Sequence, residues 1–156
     1  MKQHLTLIIT LLIGCIALSQ STDTKWADYE DNNVGYAVKY PEHWVIKGAK
    51  RGFMCGKKED FINAEWIIWI SKPNNKERID FIFNHDGLYE GYDMVEDTIN
   101  INGVEALRTT VTHKEKPDEF IQYIVIKTKR FWYQIENSGK KDENFETFYQ
   151  SFRLLK

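Results

Sequence analysis

Histidines and carboxylates are the residues of this chain that could support a reaction or bind a metal. Residues 84–87 read Asn-His-Asp-Gly, and Glu90 and Asp93 follow close behind. Oxygen-rich clusters of this kind can bind calcium, which takes several oxygen ligands. The spacing does not match an EF-hand loop, which needs ligands at a fixed series of positions. We therefore interpret the cluster as a solvated turn, and predict no metal site and no cofactor.

The histidines, which could act as general bases or metal ligands, are scattered along the chain. His43, His85 and His113 do not cluster, and no pair of cysteines accompanies them, whereas a transition-metal site needs several converging ligands. The common motifs of serine hydrolases, zinc proteases, P-loop proteins and dinucleotide-binding enzymes are absent. We predict a non-enzymatic binding or accessory protein. The alternative is a small envelope enzyme with a scattered acid/base site that uses His113 or Asp86.

Aromatic side chains favour binding over catalysis. Trp132 alternates with Gln134 and Glu136, whereas the residues between them are apolar. Alternation with period two is typical of a strand with one buried face, so we predict that Trp132 is exposed. Tryptophan often dominates binding energy at interfaces. The predicted partner surface comprises Trp132, Gln134, Lys129 and Arg130. These cations, preceded by Lys127, would suit an acidic partner; the alternatives are a core tryptophan and an ordinary solvated charge run.

Residues 1–19 have the composition of an export signal. An apolar run over residues 5–18 follows Lys2, and no acidic residue occurs before Asp23. The run is too short to cross a hydrocarbon core of ~30 Å, which takes about 20 residues. We predict a signal peptide that is removed, so that the mature chain has no transmembrane segment.

Two processing sites compete at the end of this leader. Residues 17–19 form a small-x-small site, which predicts cleavage between Ser19 and Gln20. Residues 12–15 instead resemble a bacterial lipobox, in which Cys15 is acylated and anchors the protein to the membrane. We favour cleavage after Ser19, because apolar residues continue beyond Cys15. Both alternatives predict an exported protein of the bacterial cell envelope. Cleavage after Ser19 predicts a periplasmic or secreted protein, whereas acylation of Cys15 predicts a membrane-anchored lipoprotein.

Composition excludes several further classes of protein. A length of 156 residues predicts one domain, and a hydrophobic fraction of 42% excludes wholesale disorder. The 21 basic and 23 acidic residues give a net charge of −2, which argues against a nucleic-acid partner. The only cysteine after the leader is Cys55, so we predict no internal disulfide. Its thiol is either reactive beside Lys57 and Lys58 or, as we favour, a buried core residue.

The elements that would position these residues are mostly β-strands. Residues 35–40 alternate between apolar and small or charged side chains, and residues 64–70 form an apolar run typical of a central strand. Asn102-Gly103 predicts a tight hairpin between strands at 98–101 and 104–112. Residues 120–127 and 130–136 predict a second antiparallel pair with a short connection.

Two helices complete the predicted domain. The apolar residues of 76–84 fit either one face of a helix or one face of a strand. We favour the helix, because good helix formers at residues 76–78 follow a Pro-Asn-Asn breaker. At the carboxyl end, one aromatic stripe predicts a helix that packs against the sheet; its members are Phe145, Phe148, Tyr149 and Phe152. Residues 20–33 are polar and predict an N-terminal tether, which leaves residues 34–156 as the single domain.

The order of these elements resembles a known family. The features are Gly35-Tyr-Ala-Val-Lys-Tyr-Pro41 with Trp44 close behind, the hairpin Ile101-Asn-Gly-Val-Glu-Ala-Leu-Arg108, and the final Phe148-Tyr-Gln-Ser-Phe-Arg-Leu154. Together they resemble the PsbP-like α/β/α sandwich, which includes an extrinsic photosystem protein, a yeast Ran-binding protein and small bacterial exported proteins and lipoproteins. The resemblance covers residues 34–155. It implies an α+β fold, a mostly antiparallel β-sheet with helices packed on its faces, and an accessory role without shared catalytic residues.

Overall fold

The computed structural model describes residues 24–49, 52–57, 64–83, 90–140 and 142–156. Cys15, Ser19 and Gln20, the residues of the two predicted processing sites, lie outside these ranges. Within the described ranges the elements, in chain order, are β1 Trp26–Asp31, β2 Tyr36–Pro41, β3 Val45–Ala49, β4 Gly52–Gly56, β5 Trp66–Ser71, α1 Lys76–Phe83, β6 Tyr92–Ile101, β7 Val104–His113, β8 Glu119–Lys127, β9 Trp132–Lys140, α2 Asn144–Gln150 and β10 Arg153–Leu154.

The strands form two antiparallel sheets. The large sheet has seven strands in the order β3-β4-β5-β9-β8-β7-β6, and the small sheet has three in the order β1-β2-β10. Consecutive strands are mostly neighbours, as hairpin connections dictate. The two helices have only 8 and 7 residues, so the protein is richer in β-structure than a balanced α+β fold. The prediction of a mostly antiparallel sheet is confirmed.

The core lies between the large sheet on one side and the small sheet with α2 on the other. Phe148 of α2 packs on Trp66 of β5, with ring centroids 4.7 Å apart. The ring centroid of Tyr36 of β2 lies 5.7 Å from that of Tyr133 of β9 and 5.6 Å from that of Phe152. All four residues of the predicted aromatic stripe are buried. Phe145, Phe148 and Tyr149 therefore form one buried face of α2, as their spacing predicts, whereas Phe152 lies beyond the end of the helix.

The Asn102–Gly103 turn joins the hairpin to the end of α2. The φ angles of Asn102 and Gly103 are 49° and 84°, the left-handed values that a type I′ turn needs. Asn102 Nδ2 donates to the carbonyl oxygens of Gln150 and Phe152, each at 2.8 Å. Gln150 is the last residue of α2, whose final carbonyls have no partner within the helix, and Phe152 lies just beyond the helix. The turn residue thus fixes α2 to the large sheet.

The predicted polar tether at residues 20–33 is wrong for residues 26–31. They form β1 and pair with β2 from Trp26 opposite Pro41 to Asp31 opposite Tyr36. Tyr29 packs on Phe53 of the large sheet with a centroid distance of 4.5 Å. The aromatics of this polar stretch supply apolar surface, whose burial stabilises the strand.

Candidate functional site

The connection between β8 and β9 carries the predicted partner surface. Lys127 ends β8 and Trp132 begins β9, and the sheet register places them directly opposite each other. Lys127 Nζ lies 4.7 Å from the centroid of the Trp132 ring. A cation over an indole face at this distance is attracted by the ring quadrupole. Trp132 is half-buried, so one part of the ring contacts the protein and another part is accessible.

Thr128 makes this connection rigid. Its hydroxyl donates to the Phe131 carbonyl at 2.7 Å and accepts the Phe131 N–H at 3.0 Å. Arg130 is fixed as well, because it donates to the Asn33 carbonyl at 3.2 Å. Lys129 stands exposed on the turn. A pre-organised turn loses little conformational entropy when a partner binds.

The cations of this turn, Lys127, Lys129 and Arg130, form no ion pair with any described carboxylate. We call Trp132, Lys127, Lys129 and Arg130 the tryptophan–lysine surface. Its charge and its partly accessible indole suit a partner that carries negative charge.

The prediction that Gln134 belongs to this surface is wrong. Gln134 is only 2% exposed, and it lies opposite Trp69 of β5 and Val125 of β8. Its Oε1 has no hydrogen-bond partner among the described residues. Val111 and Tyr123, on the same face of the sheet, are buried too. Polar alternation indicates an exposed face only where its neighbours are exposed, and around Gln134 they are buried.

The two described histidines lie on separate segments. His43 lies in the turn before β3 and lines a polar cleft of about 440 Å³ with Trp44 and Lys57. His113 ends β7, and its Nδ1 accepts the backbone N–H of Glu115 at 3.1 Å. His113 therefore shapes the turn that follows β7.

The acidic cluster at residues 84–87, with His85 and Asp86, lies outside the described ranges. Among the residues that are described, no three histidines, cysteines or carboxylates lie close enough together to bind a metal ion. Neither helix in these ranges has the length and hydrophobicity that spanning a bilayer requires.

Cys55 is a core residue. It lies on β4 and is 0% exposed. Burial raises the pKa of its thiol well above the ordinary value, with a smaller contribution from the negative charge of Glu65. Lys57 does not activate the thiol, because its Nζ pairs with Glu65 at 3.3 Å. The predicted burial of Cys55 is confirmed.

Comparison with known proteins identifies the fold. No protein-family model matches this sequence, and no curated protein matches it either. The solution structure of cyanobacterial PsbP (CyanoP) from Synechocystis sp. PCC 6803 is similar, with a TM-score of 0.56 and 13% identity over 84% of this chain and 93% of that chain. A crystal structure from Bacteroides thetaiotaomicron VPI-5482 matches with a TM-score of 0.44 and 11% identity, over 83% of this chain and 48% of that one. The fold is PsbP-like, as the sequence resemblance implied.

Proposed function

We propose that this chain is an exported, non-catalytic accessory protein that binds a negatively charged partner through the tryptophan–lysine surface. The observation that carries the proposal is the geometry of the β8–β9 turn. Lys127 lies over the half-buried tryptophan, Lys129 and Arg130 are exposed on the same turn, and no described carboxylate pairs with these three cations. Tryptophan and arginine are among the residues that contribute most to binding energy.

Two further observations support binding over catalysis. The PsbP-like fold favours an accessory role, because the family resemblance brings no shared catalytic residues. The groups that a reaction would need do not support a site either: His113 Nδ1 is engaged in its own turn, and the Cys55 thiol is buried. General acid–base chemistry needs titratable groups within reach of one substrate.

The proposed location is the bacterial envelope, and it rests on the leader sequence. Signal-peptide cleavage between Ser19 and Gln20 would release a soluble periplasmic or secreted chain. Acylation of Cys15 would instead anchor the same domain to a membrane. Intact-mass analysis of the protein expressed from its full gene tests this part. A chain beginning at Gln20 is the expected result, an acylated Cys15 start would establish the anchored alternative, and an unprocessed Met1 would contradict export.

A charge-reversal experiment tests the partner surface. The exported protein is immobilised and exposed to a solubilised envelope fraction from its own cell, and the retained partner is quantified. The double variant Lys127→Glu and Lys129→Glu should lower retention about tenfold or more, because it replaces two attractive charges by two repulsive ones. The matched control is Lys25→Glu and Lys39→Glu, which changes the net charge equally at exposed sites on the small-sheet side. Equal losses in both double variants would contradict the proposal.

A further inference from the structure

Strand β6 is the last strand of the large sheet in the part of the chain that the structure describes. It runs over 10 residues, Tyr92–Ile101, and pairs with β7 on one side. On its other side no strand of the described ranges pairs with it. The sequence predicted a strand only from residue 98, so the first half of β6 extends the hairpin beyond its expected length. An unpaired strand edge presents backbone N–H and C=O groups that can pair with another chain.

The first half of β6 also exposes apolar surface. Six consecutive residues, from Asp93 to Thr98, are exposed. Met94 is 58% exposed and Val95 is 65% exposed, the highest values among the large apolar residues that the structure describes. Because successive side chains of a strand point to opposite faces, each face of the edge carries one of them. An added strand would therefore gain apolar contact on both faces as well as backbone hydrogen bonds.

The charge of β6 selects the kind of strand that can be added. The strand carries Asp93, Glu96 and Asp97 and no basic residue. Their described partners all lie on the β7 side: Lys114 Nζ is 3.7 Å from Asp93, Thr109 Oγ1 donates to Glu96 at 3.0 Å, and Arg108 Nε donates to Asp97 at 2.8 Å. Asp93 and Asp97 are thus paired with cations, whereas Glu96 has only a neutral partner. All three carboxylates remain solvent-exposed and outnumber the two cations, so the edge keeps a net negative charge that attracts cations on an incoming strand.

A second copy of β6 is a poor occupant of this edge. Two antiparallel copies would be related by a two-fold axis through one residue pair. An axis at Val95 places Asp93 of one copy opposite Asp97 of the other. An axis at Glu96 or at Asp97 places the two copies of that acidic residue opposite each other. Like charges directly opposite each other destabilise a strand pair. The registers centred on Val95, Glu96 and Asp97 therefore carry repulsion, which a basic strand would convert to attraction.

We propose that β6 is a docking edge for an extended segment of a partner protein in which lysine or arginine alternates with apolar residues. The segment adds to the large sheet as a further strand next to β6, through backbone hydrogen bonds and contacts to Met94 and Val95. This site is separate from the tryptophan–lysine surface, and it has the opposite charge. The two proposals therefore fail or succeed independently.

Synthetic peptides of about ten residues test the backbone and charge requirements. The probe alternates lysine with valine and threonine; one comparison peptide has glutamate in place of lysine, and another carries N-methyl groups on alternate amides. Fluorescence anisotropy with the exported protein should show that the lysine peptide binds about tenfold or more tightly than either comparison peptide. Hydrogen exchange should show protection of β6 amides when the lysine peptide is bound. Equal binding of the glutamate peptide, or no protection of β6, would overturn the proposal.

Variants of the protein locate the site and distinguish the occupant. Asp93→Lys with Glu96→Lys should weaken binding of the lysine peptide about tenfold or more, whereas the exposed control Glu42→Lys should change it about twofold or less. Circular dichroism confirms that each variant is folded before the comparison. Sedimentation of the protein alone should show a monomer. A dimer that Met94→Lys dissociates would show that a second copy occupies the edge, and would overturn the proposal.

Discussion

Replacement of Phe148 by alanine tests the packing of α2 on the large sheet. The Phe148 side chain is 0% exposed, and its ring lies 4.7 Å from that of Trp66, 6.0 Å from that of Phe145 and 6.2 Å from that of Phe53. Removing a fully buried phenylalanine loses its transfer free energy and leaves a cavity, which together cost ~3–5 kcal/mol. Since a domain has ~5–15 kcal/mol of net stability, this loss is a large part of the whole.

Urea denaturation followed by circular dichroism measures the effect. With a slope of ~1–3 kcal/mol per molar urea, Phe148→Ala should lower the midpoint by roughly 2 M. The control is Thr147→Ala, an exposed position on the same helix, which should change stability by about 0.5 kcal/mol or less. A loss below ~1 kcal/mol for Phe148→Ala would refute the layered core, because the side chain would then lie in solvent.

Three further predictions follow from the described contacts. Asn102→Gly keeps the turn conformation but removes two hydrogen bonds to the end of α2, so urea midpoints should show a loss of ~1–3 kcal/mol; an unchanged midpoint would show that these bonds add nothing. Cys55 should react with a thiol reagent only at the rate of unfolding, because it is buried; rapid labelling of the native protein would contradict this. Burial raises the pKa of Tyr133 from 10.0 to about 12. Between these pH values the tyrosine ionises more readily in the unfolded chain, so the stability that its neutral hydroxyl contributes is complete below pH 10 and is lost as the pH rises toward 12. Tyr133→Phe should reduce this alkaline loss of stability in thermal melts, and an identical pH profile would count against the assignment.

The sequence contained enough local information to predict the elements with short-range signals. The Asn102-Gly103 dipeptide predicted a turn that needs positive φ angles, and the spacing of Phe145, Phe148 and Tyr149 predicted one buried helix face. Both signals depend on residues close in the chain, so tertiary contacts did not alter them. The order of elements was also sufficient to indicate the PsbP-like fold, which the similarity to CyanoP confirms.

The features that the sequence did not reveal depend on distant parts of the chain. Strand β1 forms because Tyr29 packs on Phe53, a contact that no local pattern encodes. Gln134 is buried together with Val111 and Tyr123, which lie on other strands, although it alternates with apolar neighbours as an exposed residue would. The cation–π contact of Lys127 with Trp132 follows from the strand register. That contact could have been predicted, because a short connection places its flanking residues opposite each other.

The central claim is that a negatively charged partner binds at the β8–β9 turn, and site-specific photo-crosslinking in living cells tests it most directly. A photoreactive residue is placed at Lys129, and a second protein carries it at the exposed control position Lys39. We predict a defined crosslinked product from position 129 and none from position 39. The product should disappear when Lys127→Glu is added. A product of equal yield from both positions, or one that is insensitive to Lys127→Glu, would contradict the claim.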